Sequence, residues 1–196
     1  MIALVDYGAG NLVSVRKAVE WLGFACNVVS DPDQLRCAGK VILPGVGHFA
    51  ATESMTRSGV RDALLEATHR GTPFLGICVG MQCMFERSEE APAVPGLAWL
   101  SGACERFPSG VKSPHVGWNS LHGNDSSRLL LDVPEGSFVY FTHSYRVPVI
   151  PATVSCCDYG GKFSAAVERD NLFGVQFHPE KSGEIGLRVL KNFCSL

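Results

Sequence analysis

The chain has 196 residues, of which 46% are hydrophobic and 18% are charged, and its formal net charge is −2. This charge gives no indication of binding to nucleic acid or to an acidic membrane surface, and no apolar run approaches the roughly 20 residues of a membrane span. The N-terminal segment lacks a basic start and reaches an acid at Asp6, so it predicts a strand and not a signal peptide. We therefore expect a soluble cytoplasmic protein whose residues 1–196 form one domain.

The eight cysteines form no recognisable disulfide or metal pattern. No Cys-x-x-Cys pair occurs, so the usual spacing of zinc ligands is missing. Cys156 and Cys157 are adjacent, which is poor geometry for a mutual bridge. The sequence thus predicts mostly buried, reduced thiols and no zinc site.

The first half of the chain alternates short apolar segments with segments of helical periodicity. Asn11 follows a glycine-rich turn and is placed to cap the first helix. In chain order the pattern predicts a strand over 2–6, a helix over 12–22, a strand over Cys26–Val29, a polar loop, a strand over 41–43, a helix over about 58–69 and a strand ending at Cys78. This alternation predicts an α/β fold with a doubly wound, mainly parallel sheet of the flavodoxin-like type.

Three turn segments follow strands of this predicted sheet. They are Asp6–Gly8, Pro44–Gly47 and Cys78–Gly80. Because ligands of such sheets bind beyond the carboxyl ends of the strands, we expect the functional site where these segments meet.

The second half, from about residue 95, is rich in short β segments and has no helical pattern until its end. The predicted strands are Ala103–Phe107, Val116–Leu121, Ser137–His143, Thr153–Tyr159, Ala165–Glu168 and Phe173–Phe177. A last helix is predicted over about 183–194. The chain thus combines a doubly wound part with a β-rich second part.

Cys78 is the strongest candidate for a reactive residue. It ends an apolar strand and is followed at once by Gly80, a pattern typical of a sharp strand-to-helix turn that exposes a nucleophile. The N-terminus of the following helix favours the reactive thiolate form. The sequence therefore indicates covalent acyl-transfer chemistry.

His178-Pro179-Glu180 lies 100 positions after Cys78. Proline pushes the preceding residue into extended geometry, in which positions i and i+2 share a face, so Glu180 can orient the His178 imidazole. An isolated His-Pro-Glu is more often a strand end with a solvated glutamate. The elbow cysteine reverses that preference.

Attack by a thiolate on an amide creates an oxyanion that needs donors already in place, and losing one donor typically costs ~3 kcal/mol. The Val79 amide, just after the nucleophile, is the usual first donor. Val46 can present a second, because the flanking Gly45 and Gly47 leave its peptide units free to rotate. By itself this glycine segment is more often a tight surface turn.

Two polar positions follow Cys78 on the predicted helix. Gln82 lies one turn along on the same face, although it could equally be an ordinary surface glutamine. Glu89 and Glu90 are expected to end this helix, where acids oppose the macrodipole. A carboxylate there suits a substrate ammonium group or a solvated acidic turn, and the sequence does not decide between them.

Gly8-x-Gly10 is an incomplete dinucleotide fingerprint. The third glycine of that motif would stand at position 13, which is Val13, so nucleotide binding is not favoured.

Together the motifs resemble the class I, triad-type glutamine amidotransferases, and most closely the glutaminase subunits of imidazole glycerol phosphate synthases. The similar segments appear in the family's order and span nearly the whole chain. They are Asp6–Leu12, Pro44–Gly47, Gly76–Gln82, Pro114–Asn119, Tyr140–Tyr145 and His178–Ser182. Val79 stands where the family is expected to have leucine, a change of little consequence for a backbone donor.

The resemblance implies a role for each matching position. Cys78 would be the nucleophile, His178 the general acid and base, and Glu180 its orienting carboxylate. The remaining implied roles are oxyanion stabilisation for Val46 and Val79, glutamine binding for Gly47, Gln82, Glu90, Thr142, His143 and Ser144, and contact with a partner subunit for Asn11 and Lys181.

The resemblance also implies the reaction. Glutamine would be hydrolysed to glutamate and ammonia without a cofactor, and ammonia would pass to a cyclase subunit, a (β/α)8 barrel bound as a heterodimer, for histidine biosynthesis. Three alternatives remain at this point. They are a paralogous amidotransferase that feeds a surface-sugar amidating enzyme, a stand-alone γ-glutamyl hydrolase or cysteine peptidase, and a non-catalytic binding module.

Overall fold

The structure, a computed structural model, describes residues 1–123 and 127–196. Its strands, numbered in chain order, are β1 (Ile2–Val5), β2 (Cys26–Val29), β3 (Lys40–Gly45), β4 (Phe74–Cys78), β5 (Phe85–Ser88), β6 (Leu100–Arg106), β7 (His115–Ser120), β8 (Phe138–His143), β9 (Tyr145–Arg146), β10 (Thr153–Asp158), β11 (Lys162–Arg169) and β12 (Leu172–Val175). The α-helices are α1 (Leu12–Trp21), α2 (Pro32–Arg36), α3 (Glu53–Ser58), α4 (Val60–His69), α5 (Val79–Gln82) and α6 (Gly183–Ser195). Short 3-10 helices span Phe49–Thr52 and Pro179–Lys181.

A seven-stranded sheet forms the centre of the molecule, with the order β10-β11-β12-β4-β3-β1-β2. Along this order, the four neighbouring pairs β12–β4, β4–β3, β3–β1 and β1–β2 are parallel. At the other end of the sheet, β11 pairs antiparallel with β12, and β10 pairs antiparallel with β11. Every residue of β1, β4 and β12 is buried, as expected for strands covered on both faces. This mainly parallel α/β sheet confirms the predicted fold class.

The β-rich second part is also confirmed. A three-stranded sheet has the order β5-β6-β9, and β7 pairs with β8 in an antiparallel hairpin. Strands β10 to β12 instead join the central sheet. The observed strand bounds lie within a few residues of the predicted ones, and α6 matches the predicted last helix.

The predicted polar loop after β2 contains a helix that the sequence reading missed. Helix α2 starts with Pro32 at its first turn, and the Asp31 side chain caps it by accepting a hydrogen bond from the Asp33 amide at 3.0 Å. An Asp cap followed by proline is a recognised helix start. The helix is only five residues long, too short to show a periodic apolar pattern.

The predicted continuous helix from Cys78 to Glu89 and Glu90 was wrong. Helix α5 ends at Gln82, and the chain then forms β5, which pairs in parallel with β6. Pairing with a strand distant in sequence overrides the local helix propensity of this segment. The macrodipole argument for the two glutamates therefore does not apply, because both residues follow a strand.

The helix predicted over about 58–69 is present as α4, which lies within two residues of the predicted bounds. Gly59, at φ +78°, separates α3 from α4, which begins at Val60. Within the described residues, 1–123 and 127–196, no helix has the length and apolar character that crossing a bilayer requires.

Candidate active site

The predicted site lies at the carboxyl ends of β3 and β4. These strands are parallel neighbours, and their register places Gly45 beside Cys78. The segment after β3 and the turn after β4 therefore meet at one edge of the sheet, as the strand pattern predicts. Asp6–Gly8, the third segment expected there, does not line the cavity beside Cys78.

Cys78 occupies a sharp turn between β4 and α5. Its φ of +54° and ψ of −109° are unusual for a residue with a side chain, and such strain is typical of a functional elbow. A Cβ atom at Gly80 would lie 1.9 Å from the Leu43 carbonyl oxygen, and one at Gly76 would lie 2.5 Å from the Gly80 carbonyl oxygen. Only glycine at these positions lets α5 turn back against β3 and β4.

His178 and Glu180 form a buried pair next to the elbow. The distance from His178 Nδ1 to Glu180 Oε1 is 2.9 Å, and the two side chains are 1% and 0% exposed. His178 is extended, as expected before proline, whereas Glu180 belongs to the 3-10 helix Pro179–Lys181. The expected contact is present, although a helical turn and not an extended chain brings the carboxylate to the imidazole.

The charge on this pair is set by competing effects. Burial alone would lower the pKa of His178, but the Cys78 thiol and the Glu180 carboxylate together raise the pKa to about 9. Burial also opposes ionisation of Glu180, yet hydrogen bonds from His178 and Asn11 hold the pKa of the carboxyl below its usual value. Nε2 of His178 has no hydrogen-bond partner in the part of the chain that the structure describes. It is the imidazole atom available to a reacting group.

The Glu180→Gln variant tests this balance. Removing the negative charge should lower the pKa of His178 from about 9, because burial then dominates. The pair contributes stability while His178 is protonated and Glu180 is ionised. The stability advantage of the intact protein over the variant should therefore be largest from about pH 5 to 7. It should disappear as pH rises through about 9 and His178 loses its proton, and it should also disappear in acid as Glu180 becomes protonated.

NMR titration of the imidazole and denaturant unfolding at several pH values measure both effects. Glu184→Gln, on the exposed first turn of α6, is the matched control and should leave both quantities unchanged. An unaltered His178 titration in the Glu180→Gln protein would contradict the assigned role of the carboxylate.

Asn11 does not cap α1 as the sequence reading expected. Its side chain makes no capping hydrogen bond. Instead its Nδ2 donates to Glu180 Oε1 at 3.2 Å, the same oxygen that contacts His178. Asn11 therefore links the start of α1 to the buried pair.

A cavity of about 110 Å³ opens beside Cys78 and His178. The structure brings all the predicted oxyanion and glutamine-binding positions to its wall and adds one residue, Tyr145. The lining consists of Val46, Gly47, Cys78, Val79, Gln82, Glu90, Thr142, His143, Ser144, Tyr145 and His178. Glu180 and Asn11 lie behind the imidazole and do not line it.

The two glycines beside Val46 have different roles, which corrects the expectation that both provide free rotation. A Cβ at Gly45 would lie 2.6 Å from the Val79 Cβ, so this position allows close approach of the elbow. Gly47 has a φ of +91° and open space around it, so it alone provides the left-handed backbone conformation. The segment is fixed at Gly45 and turns at Gly47.

Glu90 reaches the cavity from the turn after β5. Its Oε2 accepts a hydrogen bond from the Phe49 amide at 2.7 Å. The carboxylate thus fastens the chain that follows Gly47 to the cavity wall.

Gln82 is not a surface residue of α5. It is 2% exposed, and its Nε2 donates to the Tyr145 carbonyl at 3.0 Å and to Gln176 Oε1 at 3.2 Å. Gln176, 0% exposed, lies 3.6 Å from the Cys78 sulfur through its Nε2. The sequence analysis missed Gln176, although it lies in the predicted strand Phe173–Phe177, two positions before His178, where alternate residues of a strand share a face.

His143 belongs to a second buried polar chain behind the cavity. Its Nδ1 contacts the Tyr145 carbonyl at 2.8 Å, and its Nε2 contacts His115 Nδ1 at 3.1 Å. Asn119 Nδ2 in turn lies 3.4 Å from His115 Nε2 and 3.2 Å from the Asp158 carbonyl. Burial lowers the pKa of His143 to about 3 and that of His115 to about 4, so both rings are neutral near pH 7.

Lys181 lies on the surface beyond the buried pair. Its ammonium nitrogen is 5.9 Å from the centre of the Tyr140 ring, which packs edge-on against Trp118 at 6.1 Å. Trp118 is 56% exposed. Lys181 directly follows Glu180, the residue that Asn11 contacts.

All eight cysteines are unpaired thiols. No group of three or more metal-binding side chains occurs within residues 1–123 and 127–196.

Comparison with known proteins agrees with this site. The family model for class-I glutamine amidotransferases matches residues 3–195, and the chain belongs to this family of enzymes. Its relatives include imidazole glycerol phosphate synthase subunit HisH from Moorella thermoacetica, 46% identical with 100% of this chain and 94% of the relative covered. The subunit of the same name from Methanothermobacter thermautotrophicus is 45% identical, covering 100% and 98%. The chloroplastic imidazole glycerol phosphate synthase hisHF of Arabidopsis thaliana is 44% identical, covering 98% of this chain and 34% of the relative.

Solved structures share the fold. A crystal structure of a glutamine amidotransferase superposes with a TM-score of 0.78 at 17% identity, covering 100% of both chains. The PurLQS structure from Thermotoga maritima also has a TM-score of 0.78, at 22% identity, and the match covers 99% of this chain and 97% of that one. At these identities the likeness concerns the fold alone.

Proposed function

We propose that this chain is the glutaminase subunit of an imidazole glycerol phosphate synthase, which hydrolyses glutamine and supplies ammonia to a cyclase subunit for histidine biosynthesis. The full-length similarity of about 45% to subunits of that name carries the assignment. The cavity beside Cys78 and the buried His178–Glu180 pair supply the chemistry that the assignment requires.

In the proposed mechanism the Cys78 thiolate attacks the side-chain amide carbon of glutamine and forms a tetrahedral oxyanion. Protonated His178 gives its proton to the leaving nitrogen, the carbon–nitrogen bond breaks, and ammonia departs from a glutamyl thioester. Neutral His178 then takes a proton from water as the water attacks the thioester. Glutamate leaves and the Cys78 thiolate is restored. Glu180 takes part in none of these proton transfers; it orients the imidazole and stabilises its protonated form.

The backbone amides of Val79 and Val46 are the proposed oxyanion donors. Val79 is the first residue of α5, whose N-terminal amides point toward the end of the helix that carries Cys78. Val46 lines the same cavity. It lies between Gly45, which packs closely against the elbow, and Gly47, which has a left-handed backbone conformation. Rotation of the Val46 peptide about Gly47 provides a two-state switch for the second donor.

The rest of the cavity is assigned to the amino-acid end of glutamine. The Glu90 carboxylate is placed to receive the substrate ammonium group, since it lines the cavity as well as holding Phe49. Gly47, Gln82, Thr142, His143 and Ser144 supply the remaining walls. A volume of about 110 Å³ lies below the range typical of sites for drug-sized ligands and favours a small substrate such as one amino acid.

The partner is proposed to be a cyclase subunit with a (β/α)8 barrel, bound as a heterodimer over Asn11 and Lys181. Asn11 donates a hydrogen bond to Glu180 Oε1, so a displacement of the start of α1 by the partner would be transmitted directly to the triad. In the Arabidopsis relative a region like this chain lies within a longer synthase polypeptide, which fits joint action of the two activities. We further propose that residues 1–196 act as one cytoplasmic domain, which fits a single sheet containing β1 and β12 and eight free thiols.

Replacing Lys181 by alanine should raise the Kd for the cyclase subunit about 10-fold, because an exposed cation beside Tyr140 and Trp118 is lost. Calorimetric titration of one subunit with the other measures the change at low and at high salt. Lys191→Ala, an exposed lysine on α6, is the matched control. Equal affinities for the two variants would remove Lys181 from the interface.

Glutamate release with and without a cyclase subunit that carries its ribonucleotide ligand tests the function as a whole. Low activity alone and a large rise with the loaded cyclase are expected. High activity without any partner would indicate a stand-alone hydrolase, and a rise only with a sugar-amidating enzyme would indicate a paralogous amidotransferase.

A further inference from the structure

Two polar groups lie within hydrogen-bond distance of the Cys78 sulfur: the Thr142 carbonyl oxygen at 3.9 Å and the Gln176 side-chain amide at 3.6 Å. Gln176 is 0% exposed, and its side-chain nitrogen lies 3.6 Å from Sγ, which is hydrogen-bond distance for a sulfur acceptor. Cys78 itself is 3% exposed. A donor at this distance is therefore little disturbed by bulk water.

Surrounding groups determine which end of the Gln176 amide faces the sulfur. The Tyr145 carbonyl is an obligate acceptor, so the Gln82 atom 3.0 Å away must be the nitrogen Nε2. The same Nε2 lies 3.2 Å from Gln176, and the atom that accepts its hydrogen bond must be the oxygen Oε1. The other end of the Gln176 amide, the N–H donor, therefore points to Cys78.

The opposite orientation is excluded on the same grounds. Turning the Gln82 amide would place its oxygen against the Tyr145 carbonyl oxygen, and turning Gln176 alone would place two N–H donors against each other. The Tyr145 carbonyl also accepts a hydrogen bond from His143 Nδ1 at 2.8 Å. Two donors therefore hold the carbonyl oxygen that determines the orientation of both amides.

We propose that Gln176 is a further catalytic residue, which donates a side-chain N–H hydrogen bond to the Cys78 sulfur and stabilises its thiolate form. A thiolate is a much stronger acceptor than a thiol, so a fixed neutral donor favours the ionised sulfur. Unlike His178, an amide cannot take up the proton, so it stabilises the nucleophile without taking part in proton transfer. The inference rests on the proposed nucleophilic role of Cys78.

The test compares Gln176→Met and Gln176→Glu with the intact protein. The pH dependence of Cys78 alkylation by iodoacetamide is followed by peptide mass spectrometry, which separates Cys78 from the other seven cysteines. Methionine keeps the length but not the donor, and glutamate adds a negative charge. We expect the pH midpoint of Cys78 alkylation to rise by about one pH unit in the methionine variant, which corresponds to a tenfold lower alkylation rate below the midpoint. In the glutamate variant the midpoint should rise further.

Ser164→Ala is the matched control. Ser164 is also 0% exposed, lies on β11 of the same sheet and donates to the Pro148 carbonyl at 2.6 Å, away from the sulfur. It should leave the Cys78 alkylation midpoint unchanged. If Gln176 had only a structural role, both variants would be less stable, but the alkylation midpoint would not rise in the methionine variant and rise further in the glutamate variant. That result would overturn the inference.

A second measurement needs no Gln176 variant. In intact protein labelled with nitrogen-15, the side-chain amide resonances of Gln176 should shift as Cys78 ionises, and the shift should be absent in Cys78→Ala. Resonances that do not respond to the sulfur would overturn the inference even if both variants failed to fold. If alkylation and amide shifts follow expectation but no glutamate is released with any partner, the glutaminase assignment fails and the Gln176 interaction stands.

Discussion

Replacing Cys78 by serine is expected to lower kcat for glutamine hydrolysis by roughly 10⁴-fold or more, because removal of a covalent nucleophile leaves only binding and oxyanion stabilisation. The hydroxyl is nearly isosteric but is not ionised near neutral pH, so neither the thioester nor the charged pair with His178 forms. The pKa of His178 should fall together with the activity, since the sulfur is one of the groups that raise it. Glutamate release with the loaded cyclase subunit and NMR titration of the imidazole measure the two effects.

Cys37→Ser is the matched control for this experiment. Cys37 is an exposed thiol at the end of α2, outside the cavity, so its replacement should leave kcat within about twofold of the intact protein. Retained activity in the Cys78→Ser protein would point to a binding module or to a different nucleophile.

Replacing Gly80 by alanine is expected to destabilise the protein by about 3 kcal/mol or more and to abolish activity. The added Cβ would lie 1.9 Å from the Leu43 carbonyl oxygen, a backbone atom that cannot move without shifting β3. Any relief of this clash pushes α5 away from the sheet and displaces Cys78 with it. Denaturant unfolding and glutamate release measure the two consequences.

Gly39→Ala provides the comparison, because its added Cβ would meet only ordinary contacts at 3.5 Å and its backbone is not left-handed. It should change the free energy of unfolding by less than about 1 kcal/mol. If Gly80→Ala were as stable and active as Gly39→Ala, the close packing of the elbow against β3 would be wrong.

The parts of the fold that could be predicted are those with a strong periodic pattern. Apolar runs such as β4 and the amphipathic segments of α1 and α6 show their structure in the order of their side chains. Helix α2 is too short for a period to appear. The end of α5 at Gln82 could not be predicted because it depends on pairing of β5 with β6, a contact between segments far apart in the chain.

The candidate site was predictable in its residue types but less so in its contacts. The positions carried over from the family motifs line one cavity, yet their partners differ from simple expectation. Asn11 looks like a helix cap in sequence but contacts Glu180, because a donor 169 positions away in the chain is brought beside that carboxylate only by folding. Gln176 lies two positions before the His-Pro-Glu motif and was missed because a buried amide has no sequence signature of its own.

The polar chain that runs from Asn119 through His115, His143, Tyr145, Gln82 and Gln176 to Cys78 has a consequence for proton leakage. Hydrogen bonds conduct protons only where each member can accept one and pass it on. With the pKa of His143 near 3 and that of His115 near 4, and with amides and a carbonyl completing the chain, no member takes up a proton near pH 7. Near pH 7 the chain therefore presents only neutral groups to the Cys78 sulfur, and the protonated His178 imidazole is the neighbouring group that can give up a proton.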